Sequence, residues 1–359
     1  MNVLGIETSC DECAAGVVRD GVVLSSVVAS QIPVHAPYQG VVPEIASRTH
    51  TEWIYGVVSG ALQEAGLGPG DVEGVAVTAH PGLLGSLLVG LHFAKAFAWA
   101  RDIPFIAVDH LLAHLYASRL SLPARGDGPG GETPDYPFLG LLVSGGHTVI
   151  CRADDFDDVT VLGTTIDDAA GEAFDKVSKF YGFGYPGGAA IDTLARRGDP
   201  GTFRFPLPHL YKPPRAGPDH RYDVSYSGLK TAVVNQLERF RVKPSAPGME
   251  AADIAASFQK TAVEILLRAL LRAVEDTGLR TIVAGGGVAA NSYLRARLAG
   301  YAAGKAGAGP RVIFPPLELC GDNGAMVAGL GERCLSRGDR SPMDTGASAR
   351  VQAFKRRYP

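Results

Sequence analysis

Two histidines four residues apart, His110 and His114 in His110-Leu111-Leu112-Ala113-His114, fall on one face of any helix that carries them. Imidazole nitrogens on adjacent turns can reach one transition metal, leaving its other positions for a carboxylate, water or a substrate oxygen. The same spacing also occurs in helices that carry a surface or core histidine and bind nothing, and spacing alone leaves both readings open. A metalloprotease would need a glutamate beside the first histidine as general base. Leu111 stands there instead, which disfavours proteolysis. Asp322, in Leu319-Cys320-Gly321-Asp322-Asn323-Gly324, is a candidate third ligand, although an aspartate opening a helix is ordinarily its cap. Folding, not spacing, has to bring it to the histidines.

Cys10-x-x-Cys13 is the other spacing with redox or metal chemistry in it, but it has no second pair and falls in a turn, so structural cysteines are expected. The five cysteines, at 10, 13, 151, 320 and 334, form no disulfide pattern and suit a reducing compartment. Met1 to Val18 lacks the basic start and cleavage site of a secretory signal, so the cytoplasm is the expected location. The longest apolar stretch, Leu83 to Ala100, is broken by His92 and Lys95 and reads as a buried helix, with no membrane span expected. A formal net charge of -3 gives no global basic footprint for nucleic acid, so any RNA contact is local or shared with a partner.

With 359 residues, 46% hydrophobic, the chain is long enough for two α/β domains, and 45 glycines with 24 prolines imply many tight turns. The elements that must position the histidines recur in two halves. Val3 to Glu7 and Ala14 to Val18 form a hairpin around a small polar turn, and Phe138 to Val143 and Val149 to Arg152 do the same around Ser144-Gly145-Gly146-His147-Thr148. Val75 to Val77 leads through Pro81-Gly82 into a long apolar helix, as Thr281 to Val283 leads through Gly285-Gly286-Gly287 into Ser292 to Leu298. Such duplication predicts a two-lobed actin-like arrangement, with mixed sheets covered by helices and turn amides able to surround phosphate oxygens at a central cleft.

The expected division is an N-terminal lobe over 1–121, a linker over 122–137, a C-terminal lobe over 138–322, a C-terminal helix over 323–345 that packs back on the first lobe, and a basic tail over 346–359. The proline-rich loop Gly201 to Arg221 holds Arg204, Lys212, Arg215, His220 and Arg221, and is either a solvated surface loop or a contact for an RNA backbone.

Across nearly its whole length the chain resembles the tRNA threonylcarbamoyladenosine synthesis family called TsaD in bacteria. The matching blocks include Ile6-Glu7-Thr8-Ser9-Cys10-Asp11-Glu12, Val42-Pro43-Glu44-Ile45-Ala46-Ser47-Arg48, the His110-x-x-x-His114 pair and Ser144-Gly145-Gly146-His147-Thr148. They continue through Asp167-Asp168-Ala169-Ala170-Gly171-Glu172, Tyr185-Pro186-Gly187-Gly188, Ser227-Gly228-Leu229-Lys230-Thr231, Gly286-Gly287-Val288-Ala289-Ala290-Asn291 and Cys320-Gly321-Asp322-Asn323.

The resemblance implies the actin, sugar-kinase and Hsp70 fold with duplicated RNase H-like domains. It also implies a transferase that moves threonylcarbamoyl from threonylcarbamoyl-adenylate to the exocyclic amine of the adenosine beside the tRNA anticodon. Carried over by motif, His110, His114 and Asp322 would hold one divalent metal, iron or zinc. Leu142, Val143, Ser144, Gly145 and Gly146 would supply a turn for phosphate or carbonyl oxygens, and Asp175, Gly188, Asp192 and Asn291 would bind the nucleotide portion. Asp11 and Glu12 are the candidates for accepting a proton from the amine or orienting it.

A shorter actin-like paralogue and a small P-loop ATPase are the partners implied. Cys13, His80 and Arg101 depart from the family pattern without removing a ligand. Two other readings remain: a carbamoyltransferase acting on a small molecule or a protein thiol, and a non-catalytic actin-like scaffold.

Overall fold

The structure is a computed structural model describing residues 1–38, 40–122, 133–208, 210, 220–242, 251–304, 309–351 and 354–356, with backbone only for 237–242, 355 and 356. Most of the expected linker, Lys212 and Arg215 of the basic loop, and 357–359 of the tail lie outside the described residues. Two compact units result, one of Met1–Pro134 with Pro315–Phe354, the other of Asp135–Phe314 with Lys355–Pro359. The chain thus re-enters the first unit at Pro315, ahead of the expected 323. The strand Arg311–Ile313 of the second unit ends just before this point, and Pro315-Pro316 then begins the approach to the final helix.

In the first unit, strands β1 (Val3–Glu7), β2 (Glu12–Arg19) and β3 (Val22–Ser30) form an antiparallel meander, and β4 (Gly74–His80) and β5 (Phe105–Asp109) add in parallel, giving the order β3-β2-β1-β4-β5. Leu4, Ile6, Val75 and Val77 share one core with the helices α2 (Pro43–Glu64) and α3 (Leu84–Arg101), which follow the short helix α1 (Ile32–His35). Parallel pairing of β1, β4 and β5 buries whole strands, which explains the uninterrupted apolar runs Val75 to Val77 and Phe105 to Val108. The opposite face is met by α10 (Gly324–Arg337), close enough that a Cβ at Gly5 would lie 2.2 Å from the Gly324 carbonyl oxygen. Only glycine permits that approach. β5 is followed directly in the first unit by α4 (His110–Tyr116).

The second unit repeats the plan: β6 (Phe138–Val143), β7 (Thr148–Ala153) and β8 (Val159–Thr164) meander, and β9 (Thr281–Gly285) and β10 (Arg311–Ile313) add in parallel beside β6. β11 (Lys355–Arg356) completes the order β10-β9-β6-β7-β8-β11. Apart from β11, the two orders coincide strand for strand, which is the duplication expected from the turn sequences. Helices α5 (Ala170–Tyr181), α6 (Gly187–Ala195), α7 (Ser227–Val242), α8 (Ala251–Thr277) and α9 (Ser292–Ala303) cover the sheet, with Phe174 and Phe258 in edge contact at the core. Among the described residues no helix is long and apolar enough to cross a membrane.

Candidate functional site

The first candidate centre belongs wholly to the first unit. Asp109 ends β5 and caps α4, its Oδ1 accepting from the Leu111 and Leu112 amides at 2.8 and 3.0 Å. This cap starts α4 at His110, so both histidines point from one face into a buried position. Asp322 comes from the turn ahead of α10, where Asn323, not Asp322, is the cap, accepting from the Met326 amide at 2.8 Å. Of two adjacent residues that can cap, the one nearer the helix took the task, leaving the Asp322 carboxylate to face the histidines.

His114 Nε2 lies 3.1 Å from Asp322 Oδ1 and His110 Nε2 lies 3.6 Å from it; the three groups offer ligand atoms all within 4.8 Å of one another. Bonds of about 2.0–2.1 Å in a tetrahedral site separate ligand atoms by about 3.3 Å, so this donor set fits one small divalent cation. The outer groups agree. His110 Nδ1 lies 3.0 Å from Glu7 Oε2, which turns Nε2 toward the shared point, as a carboxylate–histidine pair does behind a metal. Glu7 is fully buried and also accepts from Thr78 Oγ1 at 2.5 Å and the Ser9 amide at 2.5 Å. His114 Nδ1 is buried with no hydrogen-bond partner among the described residues.

The electrostatics follow from the crowding of charges. Burial opposes the charged form of His110, but the Asp322 and Glu7 carboxylates outweigh it and raise its pKa to about 9. Burial likewise pushes the Glu7 carboxyl up, yet the His110 charge and hydrogen bond hold it below the usual carboxylate range. Glu12, whose Oε1 accepts from Ser30 Oγ at 3.2 Å, is pushed up to about 9 by burial and by the charges of Asp322 and Asp11. A cation held by Asp322 would offset the second of those causes. Asp11 shares this turn and pairs through its backbone carbonyl with the Gln31 amide at 2.9 Å.

The three departures from the family pattern have plain local settings. His80 Nε2 stands 3.7 Å from Asp109 Oδ2, Arg101 donates to the Gly70 carbonyl at 3.1 Å near the end of α3, and Cys13 is buried in β2.

A second candidate centre belongs wholly to the second unit. Gly145, Asp175, Gly188, Asp192 and Asn291 line one cavity of about 440 Å³. Cβ atoms built at Gly145, Gly188 and Gly287 would meet nothing within 4 Å, so these positions keep backbone open to whatever enters. Asp175 Oδ1 accepts from the Gly187 amide at 2.7 Å, and Asp192 Oδ1 from Ser292 Oγ at 2.7 Å. Asn291 caps α9 through the Leu294 amide at 2.9 Å and donates to Gln259 Oε1 at 2.9 Å.

Leu142 and Val143 are buried strand residues outside this lining, and Ser144 closes the turn by accepting from the His147 amide at 3.2 Å. Gly146 is exposed at the turn and is likewise outside the lining.

Sequence reasoning passes over Glu7 and Gln259, as well as Arg196, Gly287 and Val288, which also line the second-unit cavity. Glu7 carried a signal, as the one charged residue in the strand Val-Leu-Gly-Ile-Glu. Gln259 carried none beyond being polar on the buried face of α8.

Comparison with known proteins follows the same lines. The TsaD family, described as tRNA N6-adenosine threonylcarbamoyltransferase, matches residues 22–329. A protein of that name from Treponema denticola is 58% identical over 358 residues, spanning 99% of both chains. Its namesake from Treponema pallidum strain Nichols is 54% identical, spanning 99% of this chain and 95% of that one. The crystal structure of T. kodakarensis HypF aligns with 93% of this chain and 47% of its own at a TM-score of 0.57 and 14% identity, a likeness of fold. A match this long at this identity, over a chain built as two repeated α/β units, makes the protein a member of the TsaD family of tRNA N6-adenosine threonylcarbamoyltransferases.

Proposed function

We propose that this chain transfers the threonylcarbamoyl group of threonylcarbamoyl-adenylate to the exocyclic amine of the adenosine 3′ of the anticodon, in tRNAs reading codons that begin with adenine, and releases AMP. The observation that carries the reading is the convergence of His110, His114 and Asp322 on one point in a chain matched by this family from residue 22 to 329. His110 and His114 through Nε2, and Asp322 through Oδ1, would hold one divalent metal, iron or zinc. A divalent ion in this group supplies Lewis acidity toward a carbonyl or phosphate oxygen of the donor.

The chain's own residues do the rest. Glu7 fixes the His110 ring through Nδ1, so that Nε2 keeps its direction. An adenine amine is a weak nucleophile and must lose a proton as it attacks. Asp11 accepts that proton, while Glu12, beside it in the chain, orients the incoming group. In the second unit, the Ser144-Gly145-Gly146 turn, anchored by Leu142 and Val143 of β6, offers amides to phosphate oxygens. Asp175 and Asp192 accept from ribose hydroxyls, Asn291 borders the base, and Gly188 lets the ligand approach the backbone of α6. The partners are unmodified tRNA, a shorter actin-like paralogue and a small P-loop ATPase, and the reaction takes place in the cytoplasm.

The test combines metal-loaded protein, both partners, threonylcarbamoyl-adenylate and unmodified tRNA, with the modified adenosine read by mass spectrometry. The expected result is product with the native chain and neither product nor bound metal with His110→Ala/His114→Ala. A native chain that binds metal and yields no product overturns the reading, and metal retained by the double variant overturns the ligand assignment.

A further inference from the structure

The second unit carries, apart from the pocket already described, two neighbouring cavities along one irregular segment. Residues 202–206 line the first, of about 370 Å³, together with Asn235 and Gln236 of α7. Leu207, Pro208 and Leu210 continue the segment into the second, of about 280 Å³, whose wall includes His220, Arg268 and Arg272. The two cavities are unlike in chemistry.

In the first, the rings of Phe203 and Phe205 lie 6.1 Å apart with 15° between their planes, beside the carboxamides of Asn235 and Gln236. Aromatic faces stack on any nucleobase, and a carboxamide, with donor and acceptor side by side, complements a Watson–Crick edge. Phe203 is fixed in place, its amide donating to Ser257 Oγ at 3.1 Å.

In the second, Arg268 and Arg272 are one turn apart on α8 and so share a face. Arg272 is braced by donating to the Arg221 carbonyl, and His220 Nδ1 lies 2.7 Å from Asp223 Oδ2. Arg204 and Arg268 are exposed and have no ion-pair partner among the described residues. Solvated cations beside a cavity suit phosphate oxygens.

Along single-stranded RNA, bases and phosphates alternate; along 202–208, an aromatic amide-lined cavity is followed by a cationic one. We infer that this strip binds an unpaired stretch of the RNA substrate, seating a base against Phe203, Phe205 and the Asn235 and Gln236 amides, with neighbouring phosphates at Arg204 and Arg268. The inference rests on the tRNA reading above and adds to it where on the chain an unpaired part of that tRNA is held. It also gives a local basic contact to a chain whose net charge of -3 offers no global one.

The experiment uses the full chain and a fluorescent unstructured RNA heptamer, with a blunt RNA duplex and a polyglutamate peptide as comparison probes, followed by anisotropy over a salt series. Arg204→Gln/Arg268→Gln makes the slope of log K against log salt shallower by about 1.4, two phosphates at about 0.7 each for single strands. Asn235→Ala/Phe205→Leu, which keeps an apolar side chain at 205, weakens the heptamer roughly ten-fold and leaves the salt slope unchanged.

Modification of tRNA, run alongside with the partners, shows a raised KM for tRNA and an unchanged kcat in both double variants. Heptamer binding that is absent in the native chain, unchanged in both variants, or matched by the duplex or the polyglutamate peptide overturns the inference. A native chain that modifies tRNA while the variants bind the heptamer normally overturns the inference and spares the function. Loss of heptamer binding in the variants of a chain that modifies nothing does the reverse.

Discussion

Replacing Glu7 by glutamine isolates the contribution of the carboxylate behind His110. The exchange keeps the volume of a fully buried side chain, and the Thr78 hydroxyl can reverse its role toward an amide, so the fold survives. Two opposing effects on metal affinity then have to be weighed. Loss of an outer-shell partner costs about 10–100-fold in affinity, or about 1.4–2.7 kcal/mol.

Against this, the Glu7 charge helps raise His110 to about 9, and a proton on His110 competes with metal. At pH 7 that competition spans about two pH units, roughly a hundred-fold, and Glu7→Gln relieves part of it. The sign follows. At pH 9 His110 is still half protonated; by pH 9.5 the competition has largely gone and nearly the full 10–100-fold loss appears, whereas toward pH 7 the gap between variant and native protein narrows. Zinc affinity measured against a chromophoric chelator at pH 7 and pH 9.5, with a thermal melt to verify folding, reads both limbs. A folded Glu7→Gln protein that matches native zinc affinity within two-fold at pH 9.5 would refute the assignment of Glu7 as the residue that orients His110.

Three further outcomes are expected. Gly188→Val puts a side chain into open space at the cavity of the second unit, so its melting temperature stays near native while AMP binding by calorimetry weakens; unchanged AMP affinity would remove Gly188 from the pocket. Asp167, despite partial burial, has its pKa lowered by accepting from Ser225 Oγ, Ser227 and the Tyr226 amide at the start of α7. A depressed carboxylate stabilises above its unfolded value and loses that contribution as pH falls through the folded one, so Asp167→Asn destabilises at pH 7 and less so near pH 3; urea melts showing an equal gap at both would contradict this. Burial pushes the thiols of Cys13 and Cys151 up to about 12 and that of Cys10 well above its ordinary value, and Cys320 is buried. Brief iodoacetamide treatment of native protein at pH 8 therefore marks Cys334 alone by mass spectrometry, and labelling at Cys13 or Cys151 would show those strands open.

The parts of the fold governed by short-range patterns were readable from the chain. Glycine turns between apolar runs marked the two hairpins and the strand-to-helix units, because turn geometry and alternation are local. The boundaries shifted where neighbours decide: β2 starts at Glu12, inside what reads as the turn, because Glu12 and Cys13 pair with Ser30 and Ala29 of β3. The His110–His114 face was legible from helical spacing. What Asp322 does was not, since Asp322 and Asn323 can each cap a helix and only the fold leaves one of them spare. Nor could spacing supply Glu7, whose bond to His110 spans 103 positions in the chain, or the Asn291 to Gln259 pairing. Such partners are fixed by sheet order, and sheet order is a property of the whole unit.

Glycine-to-backbone packing of α10 against β1 and β2 carries a consequence for how the protein is made. The carboxylate of Asp322 is delivered to residues 110 and 114 by a helix translated long after them, seated where Gly5 and Gly16 leave no room for a side chain. During synthesis, both histidines leave the ribosome long before the third donor does. On the proposed ligand assignment, tight metal capture would report that α10 has docked. A truncated or stalled product would be marked by weak metal retention.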